Sequence, residues 1–380
     1  MGYLRYYLGN VFMLLGVVGF ALGGSWVWLG AWTFPLLIVL DLSFQRADFS
    51  ERGFRHPRLA DIPLYVHVVL LVAFLGLGAR RIGLVMESPG PAVGQLAGCV
   101  LSITWLGTLP NLPVAHEVLH RRGWQPRLLA HVMSVTLGEP IRRLAHLRGH
   151  HVLYGTAADC DTARRGESLY GFAIRTAFVA SRDAIRSERQ RLSLAGRSLL
   201  SIHGDVTRSI GLQGLGLLGF AAIGGWAAAG VMFLAFLLTK VLLEGFNYFQ
   251  HYGLVCVSGT RPTTRHVWSH LTPVVRAISY EISNHAHHHM DQQVPFHQLK
   301  PDPKAPQMPS IILCFLCALV PPLWTKLIAQ PHLRHWDLTF ANPEERALAA
   351  QANAAAGWPD WLTGAPLPEP SAPAPAAARG

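Results

Sequence analysis

The chain has 380 residues, 51% of them hydrophobic and 14% charged, with a mean hydropathy of +0.27. That is more apolar surface than a soluble domain of this length needs to bury, so the composition points away from a water-soluble globule and toward an integral membrane protein. Lys and Arg total 32 against 22 Asp and Glu, a net charge of +10. The Arg clusters lie between apolar runs with no nucleic-acid-binding motif beside them, which favours a membrane face or an acidic protein partner over nucleic acid.

A bilayer-spanning helix needs roughly 20 mainly apolar residues. Six stretches qualify: residues 4–23, 25–42, 62–79, 92–113, 209–227 and 229–248. The first and last pairs are so closely spaced that each is expected to form a hairpin. The fold class is therefore all-α, a six-helix transmembrane bundle whose intervening segments form a helical cap. No small-residue cleavage site separates the first run from the second, so the first segment is expected to be retained.

Basic residues set the expected orientation. Arg46, Arg52, Arg55 and Arg58 follow the second span, and Arg121, Arg122, Arg142, Arg143, Arg148, Arg164 and Arg165 lie between the fourth and fifth. Under the positive-inside rule both loops and both termini are cytoplasmic, with Arg80 and Arg81 the exceptions. A bacterial-type inner membrane is the expected location. A seventh apolar run, 311–327, contains Pro321 and Pro322, which break a straight helix, so it is read as interfacial or folded back. Residues 1–363 form one domain, and the Pro/Ala-rich tail 364–380 is expected to be disordered.

Five scattered cysteines do not make a disulfide framework, and a reducing compartment is the simpler reading. Cys314 and Cys317 form a CxxC inside an apolar run without a second pair, and are read as helix packing rather than a metal site. Gly214, Gly216 and Gly219 spell GxGxxG inside the fifth span. Without a preceding strand this is no dinucleotide fingerprint, and small residues there are read as close helix packing. The chain is expected to carry no FAD, NAD or iron-sulfur cluster, so electrons must arrive from another protein.

The histidines carry the chemistry. His116 and His120 in HEVLH project from one helical face, as do His146 and His150 in HLRGHH, with His151 turned about 100° around the helix. His285, His288 and His289 in NHAHHH follow the same logic, and His251 stands just beyond the last span in FNYFQHYG. Neutral imidazole is a strong ligand for iron, copper, nickel and zinc, and nine cannot be filled by one ion, so two metals are expected. All nine fall on the cytoplasmic face. HExxH alone equally suits a zinc protease with Glu117 as base, but that reading strands the other clusters. His287 is left out as one step off the pattern.

Nine neutral ligands leave the metal charge uncompensated, so nearby carboxylates matter. The candidates are Glu117, Asp159, Asp161 and Glu281, while Glu244 and Asn247 are placed to orient ligands. Asp159 and Asp161 serve equally as turn residues. A substrate cavity lined by Trp105, Leu109 and Leu112, next to His116, is expected between the spans.

HEVLH, HLRGHH, NYFQHYG and NHAHHH resemble the histidine boxes of the membrane-bound non-haem di-iron family, which includes alkane hydroxylases and fatty acyl desaturases. With LRYYL, GGSWVWLGAWTFPLLIVLD, LPVAHEVLHRR, KAPQMPS and PPLW, the chain is similar from residue 3 to 359 to the xylene monooxygenase hydroxylase branch of that family and its p-cymene relatives. The resemblance implies two Fe ions held by the nine histidines and O2-dependent hydroxylation of a methyl group on an aromatic hydrocarbon. It further implies electrons from an NADH-dependent reductase carrying FAD and a [2Fe-2S] centre. Rival readings are a terminal n-alkane hydroxylase, a fatty acyl desaturase and, in another class, a His-rich membrane metal transporter or metal-binding protein.

Overall fold

The computed structural model describes residues 2–54, 56–88, 92–136, 138–146, 150, 153–156 and 158–366. The described residues are helical, with no β-strand among them beyond an isolated bridge between Ser269 and Gln307. The elements that position the site are α1 (Leu8–Leu22), α2 (Leu29–Leu42), α3 (Ile62–Glu87), α4 (Val93–Thr108), α5 (Asn111–His120) and α6 (Trp124–Thr136). They continue with α7 (Leu169–Leu194), α8 (Asp205–Gln250), α9 (Pro273–Ile278), α10 (His285–Met290), α11 (Ile311–Ala318), α12 (Gln330–Thr339) and α13 (Pro343–Ala355).

Among the described residues, five helical stretches are long and apolar enough to cross a membrane: Gly2–Leu22, Gly24–Leu42, Pro57–Glu87, Val93–His120 and Asp205–Gln250. The fifth and sixth runs read from the sequence belong to one stretch, 46 residues long. It is not straight. Gly225 breaks it at φ 79° and ψ 170°, a region open essentially to glycine alone. The Phe220 and Phe236 rings, which a continuous helix would hold roughly 24 Å apart, lie 6.0 Å apart. The stretch therefore doubles back on itself.

Other boundaries also differ from expectation. Arg80 and Arg81 do not end a span but lie inside α3, where Arg81 donates to the Phe20 and Ala21 carbonyls at 3.0 and 2.9 Å. Those carbonyls are orphaned at the end of α1, and a cation there satisfies them and opposes the helix dipole. Gly214 and Gly219 are not packing glycines, since a Cβ on either meets nothing within 4 Å. The close approach is made elsewhere: a Cβ on Gly83 would lie 2.5 Å from the Gly224 carbonyl, and one on Gly224 2.1 Å from the Ala79 carbonyl. Backbones can touch only where the side chain is hydrogen.

Large apolar side chains such as Trp32, Val69, Val72, Leu215, Trp226 and Val241 are exposed around these helices, a belt suited to lipid. Inside, polar side chains tie helices together: Ser102 donates to the Val27 carbonyl at 2.7 Å and Trp105 Nε1 to Thr33 Oγ1 at 2.8 Å. The run 311–327 is not one straight α-helix. It ends α11 before Pro321 and packs Phe315 against Phe246 at 5.1 Å. Cys314 on α11 is buried.

The same end of the bundle gathers one end of each long helix. Tyr6 donates to Glu281 at 2.8 Å, Thr272 to Asp41 at 2.9 Å and Arg121 to Asp61 at 2.8 Å, and His131 contacts Ser209 at 3.1 Å. The opposite ends meet through Arg81 on α1 and Trp28 on the Gly94 carbonyl.

Candidate metal centre

Histidines from four segments converge at the gathered end. His116 and His120 ride on α5, which continues the fourth apolar helix beyond a break at Leu109 and Pro110. His251 follows the last turn of α8, and His285, His288 and His289 share the single turn of α10. That turn is aimed by strained backbone: Tyr280 and Glu281 both adopt positive φ, 50° and 58°. Their fully buried side chains hold the conformation, Tyr280 against Tyr6 and Phe296, and Glu281 accepting from Arg276 at 2.6 Å, Asn284 at 2.9 Å and Tyr6 at 2.8 Å.

The imidazoles form two groups in which one ring nitrogen from each member lies within 4.8 Å of the others: His116, His120, His146 and His288, then His150, His251, His285 and His289. His151 lies outside the described residues. The i, i+4 pairing works for His116 with His120 and for His285 with His289, but His146 and His150 are divided between the groups, as are the adjacent His288 and His289. Two ring nitrogens nearly touch in each group, His116 Nε2 with His146 Nε2 at 2.9 Å and His285 Nε2 with His289 Nε2 at 3.0 Å. Nitrogens at right angles on one ion, each about 2.1 Å from it, would be about 3.0 Å apart.

The supporting contacts fit a metal as well. His251 is 1% exposed, its Nδ1 donates to the His266 carbonyl at 3.0 Å, and its Nε2 is buried with no hydrogen-bond partner. A ring fixed through one nitrogen with the other turned inward is the arrangement of a ligating histidine. His150 Nδ1 meets Asp159 Oδ2 at 3.0 Å, and Asp159 is itself set by Thr162 at 2.7 Å and the Asp161 N–H at 3.0 Å. Asp159 is thus both a turn residue and an imidazole partner. Burial drives the His251 pKa down to about 3 and that of His285 well below its ordinary value, with neighbouring imidazoles adding to both shifts. Both rings are therefore neutral and carry lone pairs.

The remaining predicted carboxylates sit further out. Glu117 is turned from the imidazoles and accepts from Arg121 at 2.9 Å, and Glu281 braces the turn before α10. Glu244 pairs with Lys240 and accepts from Asn247 at 3.1 Å. His287 faces away, its Nδ1 accepting the Lys300 N–H at 2.8 Å.

Sequence reasoning missed the buried ionic cluster beneath the site, where Lys240 bridges Glu139 and Glu244 while Arg142 donates to Glu139 at 2.7 Å. Its signal was present, because an isolated Lys inside an apolar run demands a partner. It also missed Glu345, which accepts from His266 Nε2 at 2.8 Å and so steadies the carbonyl that holds His251. Nothing local in the sequence announces that contact, 79 residues distant. Tyr154, whose ring centroid is 4.3 Å from that of His289, was likewise unmarked.

An apolar cavity adjoins both groups, lined by Leu109, Leu112, Phe246, Ile278, Ile282 and Ile312 and reaching His116, His146 and His285. Leu109 and Leu112 are among its lining residues. Trp105 does not line it; its ring lies between α2 and α4, bonded to Thr33 and packed on Phe34 at 4.6 Å.

A helical bundle suited to a membrane, with eight imidazoles in two groups of four beside an apolar pocket, is that of a membrane protein equipped to hold metal ions beside an apolar ligand. Comparisons give the family. The fatty acid desaturase family model matches residues 91–302. The chain is 42% identical to the xylene/toluene monooxygenase hydroxylase component of Pseudomonas putida over 365 residues, 95% of this chain and 97% of that one. It is 30% identical to an alkane 1-monooxygenase of Acinetobacter baylyi over 64% of this chain and 62% of that one, and 28% identical to alkane 1-monooxygenase 2 of Pseudomonas aeruginosa over 82% and 85%. The chain belongs to this family of membrane monooxygenases, whose catalytic domain is of the fatty acid desaturase type.

Proposed function

We propose that the chain hydroxylates a methyl group on a hydrophobic aromatic hydrocarbon of toluene, xylene or p-cymene type, using O2 and electrons from an NADH-dependent reductase carrying FAD and a [2Fe-2S] centre. The observation that carries the reading is the apolar cavity abutting His116, His146 and His285, together with near full-length similarity to a xylene/toluene monooxygenase hydroxylase component.

The two imidazole groups would each hold an iron ion, His116, His120, His146 and His288 one and His150, His251, His285 and His289 the other, with His151 completing the set of nine. Two irons bound there would supply the reductive activation of O2 that converts the methyl to the alcohol, with two electrons and two protons consumed and one water released. The chain's own residues do the rest. Asp159 and the His266 carbonyl hold His150 and His251 in the tautomers that present a lone pair inward. Leu109, Leu112, Phe246 and Ile312 exclude water and press a methylarene against the imidazole wall, where orientation raises the rate.

We further infer six membrane crossings, with the doubled-back α8 supplying two, and place both termini and the metal centre on the cytoplasmic side of a bacterial-type inner membrane. The Arg-rich segments around the site give a reductase an oppositely charged surface to dock against. A metal transporter would instead need ligands spread along a path through the spans. Similarity to alkane 1-monooxygenases keeps n-alkane hydroxylation as the second reading.

Membranes containing the chain, supplied with the reductase and NADH, should convert p-xylene to its benzylic alcohol. Formation of an alkanol from n-octane or a desaturated product from an acyl donor, without benzylic alcohol, would overturn the substrate assignment. Anaerobically loaded protein should hold two ferrous ions per chain.

A further inference from the structure

The cavity beside the imidazoles is apolar at most of its wall, and its polar members are mostly accounted for. Asn247 donates to Glu244 and Arg142 to Glu139, while His116, His146 and His285 belong to the ligand groups. Gln250 and Ser279 line it too, Ser279 Oγ accepting the Ser283 N–H at 3.4 Å; two further polar atoms of the wall are buried without a partner. His270 and Ser283 both line the cavity, at 1% and 9% exposure, and His270 Nε2 and Ser283 Oγ are buried without a hydrogen-bond partner. The two residues are adjacent, the His270 N–H donating to the Ser283 carbonyl at 3.2 Å.

Their chemistry is complementary. His270 Nδ1 lies 2.6 Å from the Pro309 carbonyl, which can only accept, so Nδ1 carries the hydrogen. Burial pushes the ring's pKa down to about 4, leaving it neutral with its lone pair at Nε2. Ser283 Oγ adds a hydroxyl free to donate. Leaving two such atoms unmatched in an apolar wall costs free energy that a ligand bearing the right group would recover.

We propose that His270 and Ser283 form a hydroxyl-recognition subsite within the substrate cavity, the ligand O–H donating to His270 Nε2 and its oxygen accepting from Ser283 Oγ. The inference rests on the cavity being the substrate pocket. The ligand is an arene that carries a hydroxyl, either on the ring or on a benzylic carbon.

The test measures binding rather than turnover. Iron-loaded full-length protein in nanodiscs, kept anaerobic and without reductase, is titrated with two isosteric pairs, 4-methylphenol against p-xylene and benzyl alcohol against ethylbenzene. In Ser283→Ala and His270→Leu, binding of at least one hydroxyl member should weaken about tenfold, with its hydrocarbon partner unchanged within twofold. The pair that shifts tells a ring hydroxyl from a benzylic one. Ser283→Ala removes one atom and keeps the test informative should His270→Leu not fold. Equal shifts in both members of each pair, or no shift in any, would mean a trapped water only and overturn the subsite while p-xylene binding upholds the pocket. Failure of all four probes to bind the unaltered chain would overturn pocket and subsite together.

Discussion

Asp159 Oδ2 lies 3.0 Å from His150 Nδ1, with both side chains buried. The carboxylate outweighs burial, which by itself would lower the His150 pKa, and raises it. A ring so held is a stronger electron donor through its other nitrogen, and this contact ties the loop after α5 and α6 to the second imidazole group. Asp159→Asn keeps an acceptor but removes the charge. Affinity for one of the two ions should fall about 10- to 100-fold, seen as one iron lost per chain on dialysis against a chelator. Retention of both irons would remove Asp159 from the site.

His288 and His289 are neighbours in sequence but face different groups. His288→Ala and His289→Ala should each leave about one iron per chain, and the two variants should differ in which iron remains, as read by Mössbauer spectra. Identical spectra from the two would contradict the division described above.

Gly225 turns α8 back on itself at φ 79°, and a Cβ there meets nothing within 4 Å. The cost of Gly225→Ala is therefore conformational rather than steric, about 1–3 kcal/mol. Thermal unfolding in detergent should shift downward, while Gly230→Ala, on the same helix and equally open, should not. Equal shifts would argue against the strained turn.

Glu345 is braced by Arg265 and His266. Burial alone would raise its pKa, but the hydrogen bonds from these partners hold it at about 2. Because the folded value lies below the unfolded one, the stabilisation is complete above about pH 4.5 and lost as pH falls toward 2. Glu345→Gln should therefore lower stability by about 1–3 kcal/mol near neutral pH. The gap to the unaltered chain should close between pH 4.5 and 2 in urea titrations. A gap that stays constant across that range would show that the charge is not what matters.

The sequence by itself determined the helical class, the apolar runs and the candidate ligands, because each is a local property. A run's hydropathy decides whether it can lie in lipid, and i, i+4 spacing decides that His116 and His120 share a face. Only the tertiary structure decided how the imidazoles are divided, why His146 and His150 part company, and that Glu345 supports His251 through His266. It also moved Trp105 from the cavity to the contact between α2 and α4, and set the turn between the last two apolar runs at Gly225. Those outcomes depend on which backbones approach and at what angle. Packing of side chains far apart in the chain sets that, and no periodicity records it.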